Sequence, residues 1–337
     1  MPKALLRLLA LALLPALLLA CSRGSGPVES GGASPGAAVL ESVRLLRDGN
    51  FDGLWRHALP AADYVAYRAS WGANRDRSRI TAENRQQFAA TMATLTAADA
   101  QQQLWRKLQP QLALYERKYK AQMPVLVGML ETIGGTAIER STTLSDAERQ
   151  QARSALLAVG SWAQSVDWGD PAKAKAALGI LTDTARQLNL HTLDQVDALD
   201  YTQANADYGL LWNGLKRLLA VYGLSLDDVL DSAQVQVLSN DGHVAVVRLS
   251  FDLLGKPISS DSTLILQDGR WYDRDTLLDW RKRAAALAAR PAAAASAAAT
   301  KPARAASTTV TAPAIATTHV PATHPAVARS APAGRPH

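Results

Sequence analysis

The hydrophobic period of this chain changes at Ala233, and that change sets what it can fold into. Before it, apolar residues recur three and four apart, the spacing of a helix face. After it, Val235 and Val237 alternate with Gln234 and Gln236, the two-residue period of a half-buried strand. Asn240-Asp241-Gly242 then reads as a hairpin turn. In the next strand Ala245, Val247, Leu249, Phe251 and Leu253 share one side while Arg248, Ser250 and Asp252 take the other, as in a sheet with one wet face. Gly255-Lys256-Pro257 breaks that strand, residues 262–267 form a third, Asp268-Gly269 turns, and residues 270–273 form a short fourth. Asp273 is placed to cap a closing helix with Leu277, Trp280, Ala284 and Leu287 on one face. The expected fold is α+β and predominantly helical: a multi-helix body, a small C-terminal antiparallel β-meander of three or four strands at 233–273, and a closing helix.

The helical part carries its own punctuation. Residues 37–47 place Val39, Val43 and Leu46 on one face and stop at Asp48-Gly49-Asn50; a second helix, 51–59, ends before Pro60. Residues 61–71 carry Tyr64, Tyr67 and Trp71 in a stripe that reads as core. From Thr81 to about Leu230 helix follows helix. Ser145 with Glu148 and Thr192 with Gln195 fit capping boxes, in which each side chain satisfies a free amide of the first turn. Thr81, Thr96 and Ser225 are further N-cap candidates, and Asp170-Pro171 pairs a cap with proline at the first helical position. Leu156, Val159, Ala163 and Val166 mark one apolar face; Tyr208, Leu211, Leu215, Leu218 and Tyr222 mark another. Residues 123–133, the most apolar stretch of the folded part, read as a buried helix ending at Gly134-Gly135, with a membrane-dipping or partner-facing segment as the alternative.

The N-terminus is an address. Lys3 and Arg7 precede thirteen residues, 8–20, that are apolar apart from Pro15. Thirteen helical residues reach roughly 20 Å against the roughly 30 Å of a bilayer core, too short for a spanning helix. A positive start, a short apolar run and a small residue make a secretory signal. The run closes on Leu18-Leu19-Ala20-Cys21, which resembles the lipobox of bacterial lipoprotein precursors, with Leu19 where Ala, Ser or Thr is commoner. The resemblance implies cleavage after residue 20 and lipidation of Cys21. Ser22, rather than Asp, then implies sorting to the outer membrane, lipid-anchored and facing the periplasm. A secretory signal with a cysteine beside it by chance is the alternative. Cys21 is the only cysteine, so no internal disulfide staples the fold in an oxidising compartment. Residues 21–36, the lipidated cysteine and a Gly/Ser/Pro-rich stretch, read as a flexible tether reaching about 20 Å.

The net charge of +6 is concentrated at the ends. The signal holds Lys3 and Arg7, and the tail from 290 holds Arg290, Lys301, Arg304, Arg329 and Arg335 with no acid, so the folded region 37–289 between them is close to neutral. That distribution argues against a nucleic-acid partner. Residues 290–337, rich in Ala, Pro and Thr, lack a periodic apolar face and read as a disordered basic tail.

Residues that could carry chemistry are few. His57, His191 and His243 are the histidines of the body, and none has a second ligand at metal-binding spacing. There is no Gly-x-Ser-x-Gly, phosphate loop or dinucleotide fingerprint. Arg75, Arg77 and Arg79 form a basic loop that could meet phosphate or an acidic partner, or simply be solvated. Asp194, Asp197, Asp200, Asn205 and Asp207 gather around Tyr201, but without the alternation and glycine of a calcium loop; helix capping and surface charge explain them equally well. Neither a metal nor a cofactor is expected.

The two ends of the body, 37–71 and 232–285, resemble small envelope lipoproteins of the nuclear-transport-factor-two-like cone fold. Asp48-Gly49-Asn50-Phe51 matches their helical break, and Asp268-Gly269-Arg270-Trp271 matches the end of their sheet. About 150 intervening helical residues depart from that pattern, and no catalytic residue carries over. The expected function is thus a non-enzymatic binding or structural component of the Gram-negative envelope, held by lipid on Cys21, with an envelope protein or cell-wall component as partner. The alternative is a small-ligand carrier or enzyme using a pocket between the sheet and the helices.

Overall fold

The structure, a computed structural model, describes residues 28–73, 80–142 and 144–299. The signal at 1–20, Cys21 with the start of the tether, Arg75, Arg77, Arg79 and the tail beyond 299 lie outside the described residues. The chain divides into two units, Met1–Arg290 and Pro291–His337; the architecture below is that of the first.

Three short helices open it: α1 (Pro35–Arg47), α2 (Phe51–Ala58) and α3 (Ala61–Ala69). Ser34 Oγ accepts from Ala37 N to start α1, and Asn50 Oδ1 accepts from Gly53 N at 2.8 Å to start α2. Each cap satisfies an amide that the first turn leaves free. The closing part is a four-stranded antiparallel meander in the order β1-β2-β3-β4: β1 (Gln234–Asn240), β2 (Val244–Leu253), β3 (Lys256–Gln267) and β4 (Arg270–Asp273). Helix α12 (Arg274–Ala299) follows, capped by Asp273 Oδ1 accepting from Thr276 N at 2.8 Å.

Two apolar clusters bind these ends of the chain together. Ala38 of α1 packs with Ala245, Val247, Leu264 and Trp271 of the sheet. Leu59, Tyr64, Tyr201, Tyr272, Leu277 and Trp280 form the second cluster, with Trp55, Tyr67 and Trp71 against it. Of the Tyr64–Tyr67–Trp71 stripe, Tyr64 is buried core and Tyr67 and Trp71 pack partly buried against it, and Leu277 and Trp280 are buried as the closing-helix pattern requires.

Between the ends run α4 (Ala82–Thr96), α5 (Ala100–Leu114), a wide turn at Tyr115–Tyr119 and a tight one at Lys120–Gln122. Then come α6 (Met123–Arg140), α7 (Asp146–Ser165), α8 (Pro171–Leu188), α9 (Leu193–Ala198), α10 (Tyr201–Val221) and α11 (Leu226–Asp231). Both expected capping boxes form, and Thr81, Asp170 and Ser225 cap as expected. Thr96 does not: it ends α4, and its hydroxyl donates to the carbonyl of Met92 at 2.8 Å. Helix α8 is the hub, packed against α4, α5 and α10.

Four expectations are revised. Residues 28–34, assigned by composition to the tether, are built into the fold. Gly32 bridges Trp271, and the Ser30 hydroxyl donates to Leu59 O at 2.6 Å. Arg270 donates to the carbonyls of Ser30 and Gly31 and pairs with Glu29 at 2.5 Å. A Cβ on Gly32 would lie 2.3 Å from the Ala38 amide, so that glycine serves close approach rather than flexibility. Strand β3 begins at Lys256, six residues before the expected start. Leu254 and Gly255, both at positive φ, make a tight turn, and Pro257 sits at the strand's beginning, where it is tolerated.

Helix α12 runs to Ala299, into the alanine-rich start of the stretch read as disordered, where helix propensity is high, while the two units divide at the expected boundary, after Arg290. The fourth revision concerns α6. It is not buried: Val125, Met129, Leu130 and Ile133 are each more than half exposed, with Val127 its buried residue. It packs chiefly against α7, so one stripe is covered and a helix apolar all round leaves the rest bare. Gly134 and Gly135 do not stop it, because both lie within its helical run. Among the described residues no helix is long and apolar enough to cross a membrane.

Candidate functional site

A groove of about 920 Å³ opens among the helices, walled by α4, α8, α9 and α10. Helices α4 and α10 both pack on α8, and the groove lies between them. Phe88, Met92 and Leu95 of α4 face it at helical spacing, with Ile180 and Leu181 of α8 opposite. From α10 come Asp207, Leu211, Gly214, Leu215 and Leu218, one face at intervals of three and four. This is part of the apolar face marked by Tyr208, Leu211, Leu215 and Leu218 in the sequence. Tyr208, Leu211 and Leu215 are 43–47% exposed, because they line a groove and not an interior. The volume lies within the range of ordinary ligand pockets, roughly 300–1,000 Å³.

Polar contacts at the margins hold the walls. Arg85 of α4 meets Asp194 at 3.0 Å on α9, and Arg186 of α8 donates to Ala97 O at 2.8 Å, at the end of α4. At one end the Trp71 indole donates to Leu199 O at 3.1 Å. Tyr67 also borders the groove; burial, reinforced by nearby Tyr208, pushes its phenol up to about 12.

The acidic group of the sequence is dispersed here. Asp194 is the exposed partner of Arg85, and Asp200 caps α10 by accepting from Gln203 N at 2.8 Å. Buried Asn205 donates to Tyr201 O at 2.7 Å. Asp197 and Asp207 reach the groove. Asp207 is only 3% exposed; its Oδ1 accepts from Gln203 Nε2 at 2.8 Å, and its Oδ2 is buried without a hydrogen-bond partner. Among the described groove-lining residues there are two carboxylates and no basic side chain.

None of the three body histidines is among the described groove-lining residues. His57 is buried, with Nδ1 3.0 Å from Glu29 O and Nε2 2.9 Å from Ala38 O, tying α2 to the N-terminal segment. His191 lies beside Asn189, and His243 sits in the β1–β2 turn. Among the described residues no group of three or more His, Cys, Asp or Glu is placed to hold a metal ion. The sequence signal for this groove was a carboxylate set within the apolar stripe of α10, four residues before Leu211. No family model, curated protein or solved structure matches the chain.

Proposed function

We propose that this chain is a non-enzymatic, membrane-anchored binding protein of the Gram-negative envelope that holds an apolar ligand in the groove between α4, α8, α9 and α10. The groove carries the reading: exposed Leu181, Tyr208, Leu211 and Leu215 line one concavity instead of filling a core. Burying apolar ligand surface there gains about 25 cal/mol per Å². The location of the site differs from the pocket between the sheet and the helices that the alternative reading uses. The space between α1 and the sheet is occupied by Ala38, Ala245, Val247, Leu264 and Trp271, so binding is assigned to the helical segment. Lipid on Cys21 would hold the protein on the outer membrane, facing the periplasm, and two or more acyl chains suffice for stable anchoring.

The test is uptake of the neutral fluorophore N-phenyl-1-naphthylamine by the full-length chain. Saturable enhancement that is lost in Leu181→Arg and Leu211→Arg, both at exposed groove positions, supports the reading; an equal response from wild type and variants overturns it. The anchor is tested separately with a fatty-acid analogue in cells, where label retained in Cys21→Ala refutes lipidation at that residue.

A further inference from the structure

We infer that the groove selects a cationic amphiphile, an apolar chain bearing a primary ammonium head, and that Asp207 receives the head. The inference rests on the groove being the binding site and names the chemistry of its occupant. A carboxylate buried in an apolar setting is costly unless both oxygens are satisfied. Gln203 satisfies one oxygen, from one helical turn away; the other is sealed and unpartnered. Asp207 sits in the stripe that continues through Leu211, Leu215 and Leu218, so a chain lying along α10 would bring its head to the Asp207 end. An ammonium group offers three donors and carries the opposite charge, and it would meet the sealed oxygen through a turn of the Asp207 side chain toward the groove.

The test is displacement of N-phenyl-1-naphthylamine from the full-length chain carrying Cys21→Ser, which removes acyl chains that would compete. Dodecylamine, dodecanol and dodecanoate share one tail and differ in the head. Dodecylamine should displace the dye at a concentration at least tenfold lower than dodecanol, with dodecanoate weakest, and the preference should persist in 0.5 M salt because the pair is shielded from solvent. In Asp207→Asn, matched in shape, the preference for dodecylamine over dodecanol should fall below threefold. Equal displacement by the three heads, a preference abolished by salt, or a preference intact in Asp207→Asn overturns the assignment. Dye uptake that falls as protein concentration rises would place a second copy in the groove and overturn it too. If the wild type takes up no dye at all, the groove reading itself fails; dye uptake without head selectivity leaves the groove standing and removes only the ammonium. Should Asp207→Asn not fold, the ranking of the three heads on wild type still decides.

Discussion

The Gln203 side-chain amide donates to Oδ1 of Asp207 at 2.8 Å, four residues along α10, and leaves Oδ2 buried with no partner. Half-satisfied buried carboxylates destabilise a fold. Removing one partner from such a pair costs more than replacing the group by an apolar one of similar shape. Gln203→Leu should therefore lower stability by about 1–3 kcal/mol. Asp207→Leu should leave it unchanged or raise it by about 1 kcal/mol, opposite in sign to most substitutions at buried positions. Urea midpoints of the two variants decide; a large loss in Asp207→Leu would mean the carboxylate is structurally required.

Arg270 joins β4 to the N-terminal segment through the carbonyls of Ser30 and Gly31 and the carboxylate of Glu29. The Glu29 side chain is 77% exposed and contributes little; the carbonyl contacts are worth roughly 0.5–1.5 kcal/mol each. Arg270→Ala should cost about 2 kcal/mol, while Glu29→Ala should cost less than about 0.5 kcal/mol. Hydrogen exchange reads the difference locally. The amides of Gly31 and Gly32, which donate to His57 O and Trp271 O at 2.8 and 2.9 Å, should lose protection in Arg270→Ala and keep it in Glu29→Ala.

Tyr67 and Tyr201 give the fold an alkaline limit. Burial raises both phenols, Tyr67 to about 12 and Tyr201 further still, where the nearby Asp52 carboxylate adds to the effect. In the unfolded chain each ionises near its ordinary value of about 10. Between those values the native state keeps a proton that the unfolded state has lost, so stability falls as pH rises. The contribution is full below pH ~10 and declines by up to ~1.4 kcal/mol per unit for each tyrosine above it. Absorbance at 295 nm should show these phenols titrating late and together with unfolding. Tyr67→Phe should shift the alkaline midpoint upward, and an absorbance step near pH 10 in the folded chain that Tyr67→Phe reduces would contradict the burial.

Much of this architecture was legible because local chemistry decides it. Ser145 with Glu148, Thr192 with Gln195, and Asp170 before Pro171 set helix starts without help from the rest of the chain. Asp268 and Gly269, both at positive φ, fix the last hairpin in the same way. What escaped depends on packing between distant residues. Gly31 and Gly32 have the composition of a tether, and only their approach to Tyr272 and Ala38 shows why they are small. The stripe from Tyr208 to Leu218 looks identical whether it faces a core or a groove, because periodicity reports which residues share a face and not what covers it. Asp207 was visible only as one acid among several near Tyr201. Its burial, not its spacing, separates it from Asp194 and Asp200.

Helix α6 makes that limit measurable. Its sequence is as apolar as a buried helix, yet Met129 is 57% and Leu130 65% exposed. A side chain already in water has little transfer free energy to lose, so Met129→Gln and Leu130→Gln should each change stability by less than about 0.5 kcal/mol. Leu45 and Leu277, both fully buried, provide the contrast: truncation to alanine removes packed methylenes and leaves a cavity, costing about 2–5 kcal/mol. Val127 is the internal control, since it is the buried residue of α6 at 6% exposure. Val127→Ala should cost more than either glutamine variant because the methyl groups it removes are packed. Chemical unfolding of the five variants ranks them directly, and a loss above about 2 kcal/mol in Leu130→Gln would show that its side chain is packed in solution rather than bare.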